Sequence, residues 1–210
     1  MFDRGVRTPE SHRWLSSSNV SRAAPSIPGA VDTLILALGN ALRGDDGVGI
    51  AVTEALYASG QLPKSTTLCE CSVIEMLTEL LSRSYERVII VDAADTGCPP
   101  GAWRRFQAHK AIFQSVCHRT ALTLHHINLA KVLALGDVLG VLPMYIIIYC
   151  VQPKHVGWTS TLSEPVQKAV LEVTEAILSE RLECGFAHDI DFENKGCAEP
   201  PKHFVDKRNG

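Results

Sequence analysis

Residues 33–39 read Thr33-Leu34-Ile35-Leu36-Ala37-Leu38-Gly39, a continuous apolar run closed by a glycine. A strand with one wet face alternates apolar and polar residues, so an unbroken run marks a strand covered on both faces. Beyond it, over residues 47–59, Val48, Ala51, Val52, Ala55 and Leu56 recur at helical spacing. The alternation then repeats. Residues 66–71 predict a weaker strand and 73–83 a helix, and Arg87-Val88-Ile89-Ile90-Val91-Asp92 is a second buried strand. Residues 103–107, set off by Pro99, Pro100 and Gly101, predict an edge strand. A helix over 125–139, a third strong strand over 145–151 and a long amphipathic helix over 162–182 complete the series. Strands and helices joined by short links predict an α/β three-layer sandwich, with a mostly parallel central sheet of about five strands flanked by helices.

The folded unit is expected over residues 32–182. Residues 1–31, with Pro9, Pro25, Pro28 and several serines, read as a disordered N-terminal arm, and residues 183–210, with Pro200 and Pro201, as a polar tail. In the full 210 residues, 46% hydrophobic and 20% charged residues are the balance of a globular protein with a real core. A net charge of −3 gives no electrostatic footprint for nucleic acid or an anionic membrane. No apolar run approaches the roughly 20 residues that span a bilayer, and the first residues lack the apolar core of a secretory signal. A cytoplasmic location is expected. Seven cysteines without a C-x-x-C pair indicate neither a disulfide framework nor a cysteine zinc site, and most read as reduced, buried hydrophobes. His188, Cys184, Cys197 and His203 fit no standard metal spacing.

In mostly parallel sheets, ligands sit beyond the carboxyl ends of the strands, so polar residues there are the candidates. The first strand leads into Gly39-Asn40-Ala41-Leu42-Arg43-Gly44-Asp45-Asp46-Gly47-Val48-Gly49. Asp45 or Asp46 capping the next helix is one reading. A phosphate loop is another, but neither G-x-G-x-x-G nor G-x-x-x-x-G-K-[ST] is present, and two acids repel a pyrophosphate. Asp92 directly follows four apolar residues, where a carboxylate is costly to bury unless paired or bound to a cation. His125 and His126 open a helix, and adjacent residues cannot share one helix face, so at most one aims at a given site. Asp46, Asp92 and His125 together make an O,O,N set with open positions, suited to a divalent ion such as nickel, zinc or iron.

The order and spacing of these segments resemble the hydrogenase maturation proteases. The resemblance is carried by Gly39-Asn40 with Gly44-Asp45-Asp46-Gly47-Val48-Gly49 and by Val91-Asp92-Ala93 with Gly97 and Pro100-Gly101. It continues through His125 with Asn128-Leu129, Val151-Gln152-Pro153 and Leu162-Ser163-Glu164-Pro165-Val166. It implies an endopeptidase, grouped with aspartic-type peptidases and nickel-dependent. Such an enzyme removes the C-terminal extension of the nickel-loaded large-subunit precursor of a [NiFe] hydrogenase. Asp46, Asp92 and His125 would contact the metal, with Asp46 and Asp92 as catalytic candidates. Gly39, Asn40, Asp45 and Asn128 are assigned to substrate binding. The nickel arrives with the substrate, zinc or cadmium substituting in the isolated protein, and the enzyme is expected to act as a monomer. The alternative is a non-catalytic, metal-recognising maturation factor that binds the precursor without cleaving it. The chain departs from the family pattern at Ala37, at Glu70-Cys71-Ser72 and at Asn128.

Overall fold

The computed structural model describes residues 32–109, 129–180 and 194–195. Six strands form one sheet: β1 (Thr33–Ala37), β2 (Thr66–Glu70), β3 (Arg87–Ala93), β4 (Trp103–His109), β5 (Tyr145–Val151) and β6 (Asn194–Lys195). Its order is β2-β1-β3-β5-β4-β6. The first four in that order run parallel, while β4 is antiparallel to both of its neighbours. Four helices are described: α1 (Val48–Ser59), α2 (Val73–Ser82), α3 (Leu129–Val138) and α4 (Glu164–Ser179). The expected fold class is the one observed, and the sheet is five substantial strands plus a two-residue edge. Within the segment read as a tail, Asn194 and Lys195 pair with Arg104 and Trp103, so β4 is not the edge. The remaining readings on 1–31 and 183–210 lie outside the described residues.

Side-chain alternation divides the core into two layers. Leu34, Leu36, Val88, Ile90, Ile146 and Ile148 pack with Met76, Leu80, Leu129 and Leu133 of α2 and α3. Their neighbours Ile35, Ile89, Val91, Ile147 and Tyr149 pack on the other face with Val52 and Leu56 of α1 and Val166, Val170 and Val173 of α4. Because both faces are covered, the strands read as unbroken apolar runs. Cys69, Cys71 and Cys150 are free thiols, whereas Cys98 is disulfide-bonded, an exception to the reading of most cysteines as reduced. Among the described residues no helix is long and apolar enough to cross a membrane.

The strand order fixes where a ligand can enter. From β1 the chain steps outward to β2, then returns to place β3 on the other side of β1. The loops leaving β1 and β3 therefore diverge, and the crevice they leave lies at the carboxyl ends of these two strands.

Candidate active site

Asp46 and Asp92 meet at that crevice. Asp46 lies in a 3-10 turn, Asp45–Gly47, between β1 and α1. Two glycines seat this turn. Gly39 adopts φ +118°, and a Cβ there would lie 1.9 Å from the backbone oxygen of Asp46. Gly49, in the first turn of α1, sits so close to the sheet that a Cβ would lie 2.6 Å from the Val91 oxygen and 2.7 Å from that of Leu38. The start of α1 is thus pressed against the ends of β1 and β3, one residue short of Asp92.

Asp92 is only 2% exposed, and its Oδ1 has no hydrogen-bond partner. It lies opposite Cys150 in the β3–β5 ladder. Burial first, then the negative charge of Asp46, push its carboxyl up to about 7, against a smaller lowering by the Ala93 N–H. A buried acid without a full set of donors beside a second acid either holds a proton or meets a cation. The pair accordingly fits a divalent ion, with the unpartnered Oδ1 as a donor atom. Among the described residues no group of three or more His, Cys, Asp or Glu is arranged to hold a metal. His125 and Asn128, the remaining sequence candidates, lie outside the described residues.

Asp45 is placed differently from its neighbour. It is 1% exposed. Its oxygens accept from the backbone N–H of Lys154 (2.8 Å), His155 (2.9 Å) and Ser163 (2.6 Å) and from the Ser163 hydroxyl (2.8 Å). Burial alone would raise its pKa, but these bonds outweigh that and hold the carboxyl below the usual range. In this position it ties the β1–α1 loop to the loop after β5. Neither acid caps a helix: the N-cap of α1 is Gly47, with no side-chain cap bond. The capping reading is therefore set aside. Gly39 and Asn40 are exposed on the loop, and the Asn40 Oδ1 accepts from the Leu42 N–H at 2.9 Å, which shapes the turn.

Two further residues support the crevice without having been singled out individually from the sequence. The Gln152 side-chain oxygen accepts from Thr96 N–H (2.7 Å), Thr96 hydroxyl (3.0 Å) and Cys98 N–H (3.3 Å), so it pins the loop leaving β3. Gly101 (φ +81°) lets that loop pass the Pro165 oxygen, which a Cβ would meet at 2.5 Å. Gln152 and Gly101 both fall within the motif segments, and only the motif spacing hinted at them. Glu70 closes β2 in register with Ala37, and its carboxyl is raised by burial and by the charge of Glu54.

The sequence model of the hydrogenase maturation proteases matches residues 50–180, more than half of the chain. The chain belongs to the hydrogenase maturation protease family. It is therefore a hydrolase of the peptidase class. Among relatives, the hydrogenase expression/formation protein HupD of Rhizobium leguminosarum bv. viciae is 24% identical over 182 residues, covering 85% of this chain and 88% of its own. HoxM of Azotobacter vinelandii, also named a hydrogenase expression/formation protein, is 27% identical over 168 residues, covering 78% and 80%. The hydrogenase 2 maturation peptidase of Thaumarchaeota archaeon SCGC_AB-539-E09 superposes with a TM-score of 0.54 at 28% identity, over 70% of this chain and 95% of that one. The hydrogenase maturating endopeptidase HybD of Escherichia coli shares the fold, with a TM-score of 0.57 at 23% identity over 69% and 88%.

Proposed function

We propose that this peptidase removes the C-terminal extension of a [NiFe] hydrogenase large-subunit precursor, reading the nickel that the substrate already carries. The observation that carries the reading is the buried, unpartnered Oδ1 of Asp92 beside Asp46, at the crevice of a protein of this family. Asp46, Asp92 and His125 are the proposed contacts to the substrate's metal. Three protein ligands would leave positions for the groups that hold the metal in the precursor, so an empty precursor would be a poor substrate.

Hydrolysis of the scissile amide adds water to the carbonyl carbon, breaks the C–N bond and delivers a proton to the leaving amine. Without metal, burial and the charge of Asp46 hold the Asp92 carboxyl at about 7; a bound cation would lower it and leave a carboxylate able to accept that proton. Asp92 is therefore the proposed general base and acid, and this supports the aspartic-type assignment. When bound, the metal would supply charge stabilisation for the developing oxyanion. The β1–α1 turn, clamped through Asp45, holds Asp46 at the mouth of the crevice. The enzyme is proposed to act as a cytoplasmic monomer, which gel filtration and cell fractionation check.

The test is a cleavage assay with purified protein and precursor prepared with and without nickel. Intact mass should fall only in the nickel-loaded large subunit. Equal cleavage of both forms would refute metal reading, and unchanged mass in both would refute the protease assignment to this substrate.

A further inference from the structure

Cys69 and Cys71 flank one residue at the end of β2, so strand alternation puts both side chains on one face of the sheet. Both pack against the layer containing Met76 and Leu80 of α2. Both are free and partly exposed, and the Cys69 thiol donates to the Glu70 oxygen at 3.9 Å. Interaction with the neighbouring Cys71 thiol lowers the Cys69 pKa, while interaction with Cys69, burial and the Cys69 charge push Cys71 up. The lowered pKa favours Cys69 as the attacking sulfur of the pair. It also adjoins the crevice. Glu70 pairs with Ala37, just ahead of Gly39, and the Cys71 N–H donates to the Ala37 oxygen at 3.1 Å. Ser72 then opens α2 with a capping box to Glu75.

We propose that Cys69 and Cys71 are a redox-active dithiol that closes to an intramolecular disulfide with a low-molecular-weight disulfide as oxidant, and that closure slows cleavage at the adjacent crevice. The Cys69 thiolate attacks one sulfur of the oxidant, forming a mixed disulfide and expelling one thiolate. The Cys71 sulfur then attacks the Cys69 sulfur and expels the second. Two cysteine thiols become one disulfide, the oxidant is reduced to two thiols, and the two protons end on those thiols. Two residues of strand separate the Cα atoms by roughly 6.6 Å, near the upper end of the ~4.4–6.8 Å that a disulfide accepts. Closure therefore draws Cys71 toward Cys69, weakening its rung to Ala37 and the cap at Ser72. The effect on cleavage rests on the proteolytic reading above, whereas the dithiol chemistry does not.

The experiment equilibrates the full chain in graded ratios of reduced to oxidised glutathione, then alkylates and digests it. Cleavage of nickel-loaded precursor is measured on the same samples. The peptide holding Cys69 and Cys71 should lose two hydrogens and resist alkylation as the oxidised fraction rises, and cleavage should fall in step. Cys71→Ser should stop at a glutathione adduct on Cys69, Cys69→Ser should form no disulfide at this pair, and cleavage by Cys69→Ser should not respond to the ratio. Two alkylatable cysteines at every ratio would overturn the dithiol, and an adduct forming first on Cys71 would overturn Cys69 as the attacking sulfur. A disulfide with undiminished cleavage would overturn its control of the crevice. Absence of cleavage even under reduction would count against the protease reading and that control together, while the peptide result still decides the dithiol.

Discussion

Ser163 donates two hydrogen bonds to Asp45, from its backbone N–H at 2.6 Å and from its hydroxyl at 2.8 Å. The hydroxyl of a helix N-cap ordinarily accepts from its own helix. Here it makes no such bond and reaches instead across 118 positions of sequence. The start of α4 and the turn holding Asp46 are thereby tied together.

Asp45→Ala removes the acceptor of four hydrogen bonds and leaves the N–H groups of Lys154, His155 and Ser163 without it. At about 1 kcal/mol or more for each abandoned donor, the loss is expected to be about 3 kcal/mol. A urea titration reads it directly. An unchanged midpoint would refute the clamp.

Gly39→Ala tests the seating of Asp46. The added methyl would meet the Asp46 oxygen at 1.9 Å, at a φ of +118° that L residues rarely adopt. A loss of at least about 2 kcal/mol is expected, together with loss of cleavage. Gly60→Ala is the control, since φ is +64° there but nothing lies within 4 Å. It should cost about 1 kcal/mol and leave activity intact.

Asp92 makes the isolated protein's stability depend on pH in an unusual direction. Its folded pKa of about 7 lies above the ordinary 3.8, so between those values the folded state binds the extra proton. Stability then falls as pH rises through that window and levels off above it. The full excursion is on the order of 4 kcal/mol. Asp45 has the opposite sign, since its stabilisation is lost only as pH falls through its depressed folded pKa. Thermal melts from pH 4 to 7 should slope downward in the wild type and flatten in Asp92→Asn. Equal slopes would show that Asp92 is not the proton-binding group.

Asp46→Ala and Asp92→Ala should each abolish precursor cleavage by at least about a hundredfold, with circular dichroism unchanged. The same loss is expected for His125→Ala. Normal processing by all three variants would dismiss the site. Gln152→Ala should instead leave residual cleavage, since it acts on the loop at Thr96 and Cys98 rather than on the reacting atoms.

The apolar runs at β1, β3 and β5 made three strands legible, because a strand buried on both faces has no polar residue to break its pattern. β1 and β3 each ended within a residue of the expectation, and β5 matched it. The helix expected over 47–59 begins one residue later, since a 3-10 turn through Gly47 precedes it. The last helix starts at Glu164, two residues later than its amphipathic pattern, because Ser163 is its N-cap and faces Asp45. The pairing of Asn194 and Lys195 with β4 had no signal, since two polar residues carry no periodicity.

The sequence by itself determined the layered α/β architecture, the family, and Asp46 and Asp92 as strand-end acids. These follow from local patterns: hydrophobic period, turn glycines and motif spacing. Only the tertiary structure decided the surroundings of the two neighbouring acids. Asp45 and Asp46 are adjacent and chemically identical, yet one is saturated by donors from residues 154–163 and the other stands beside Asp92. Donors that arrive from a hundred positions away leave no trace in local sequence. Which carboxylate is saturated by hydrogen bonds, and which stands beside Asp92 and its unpartnered oxygen, is fixed only when the loops pack.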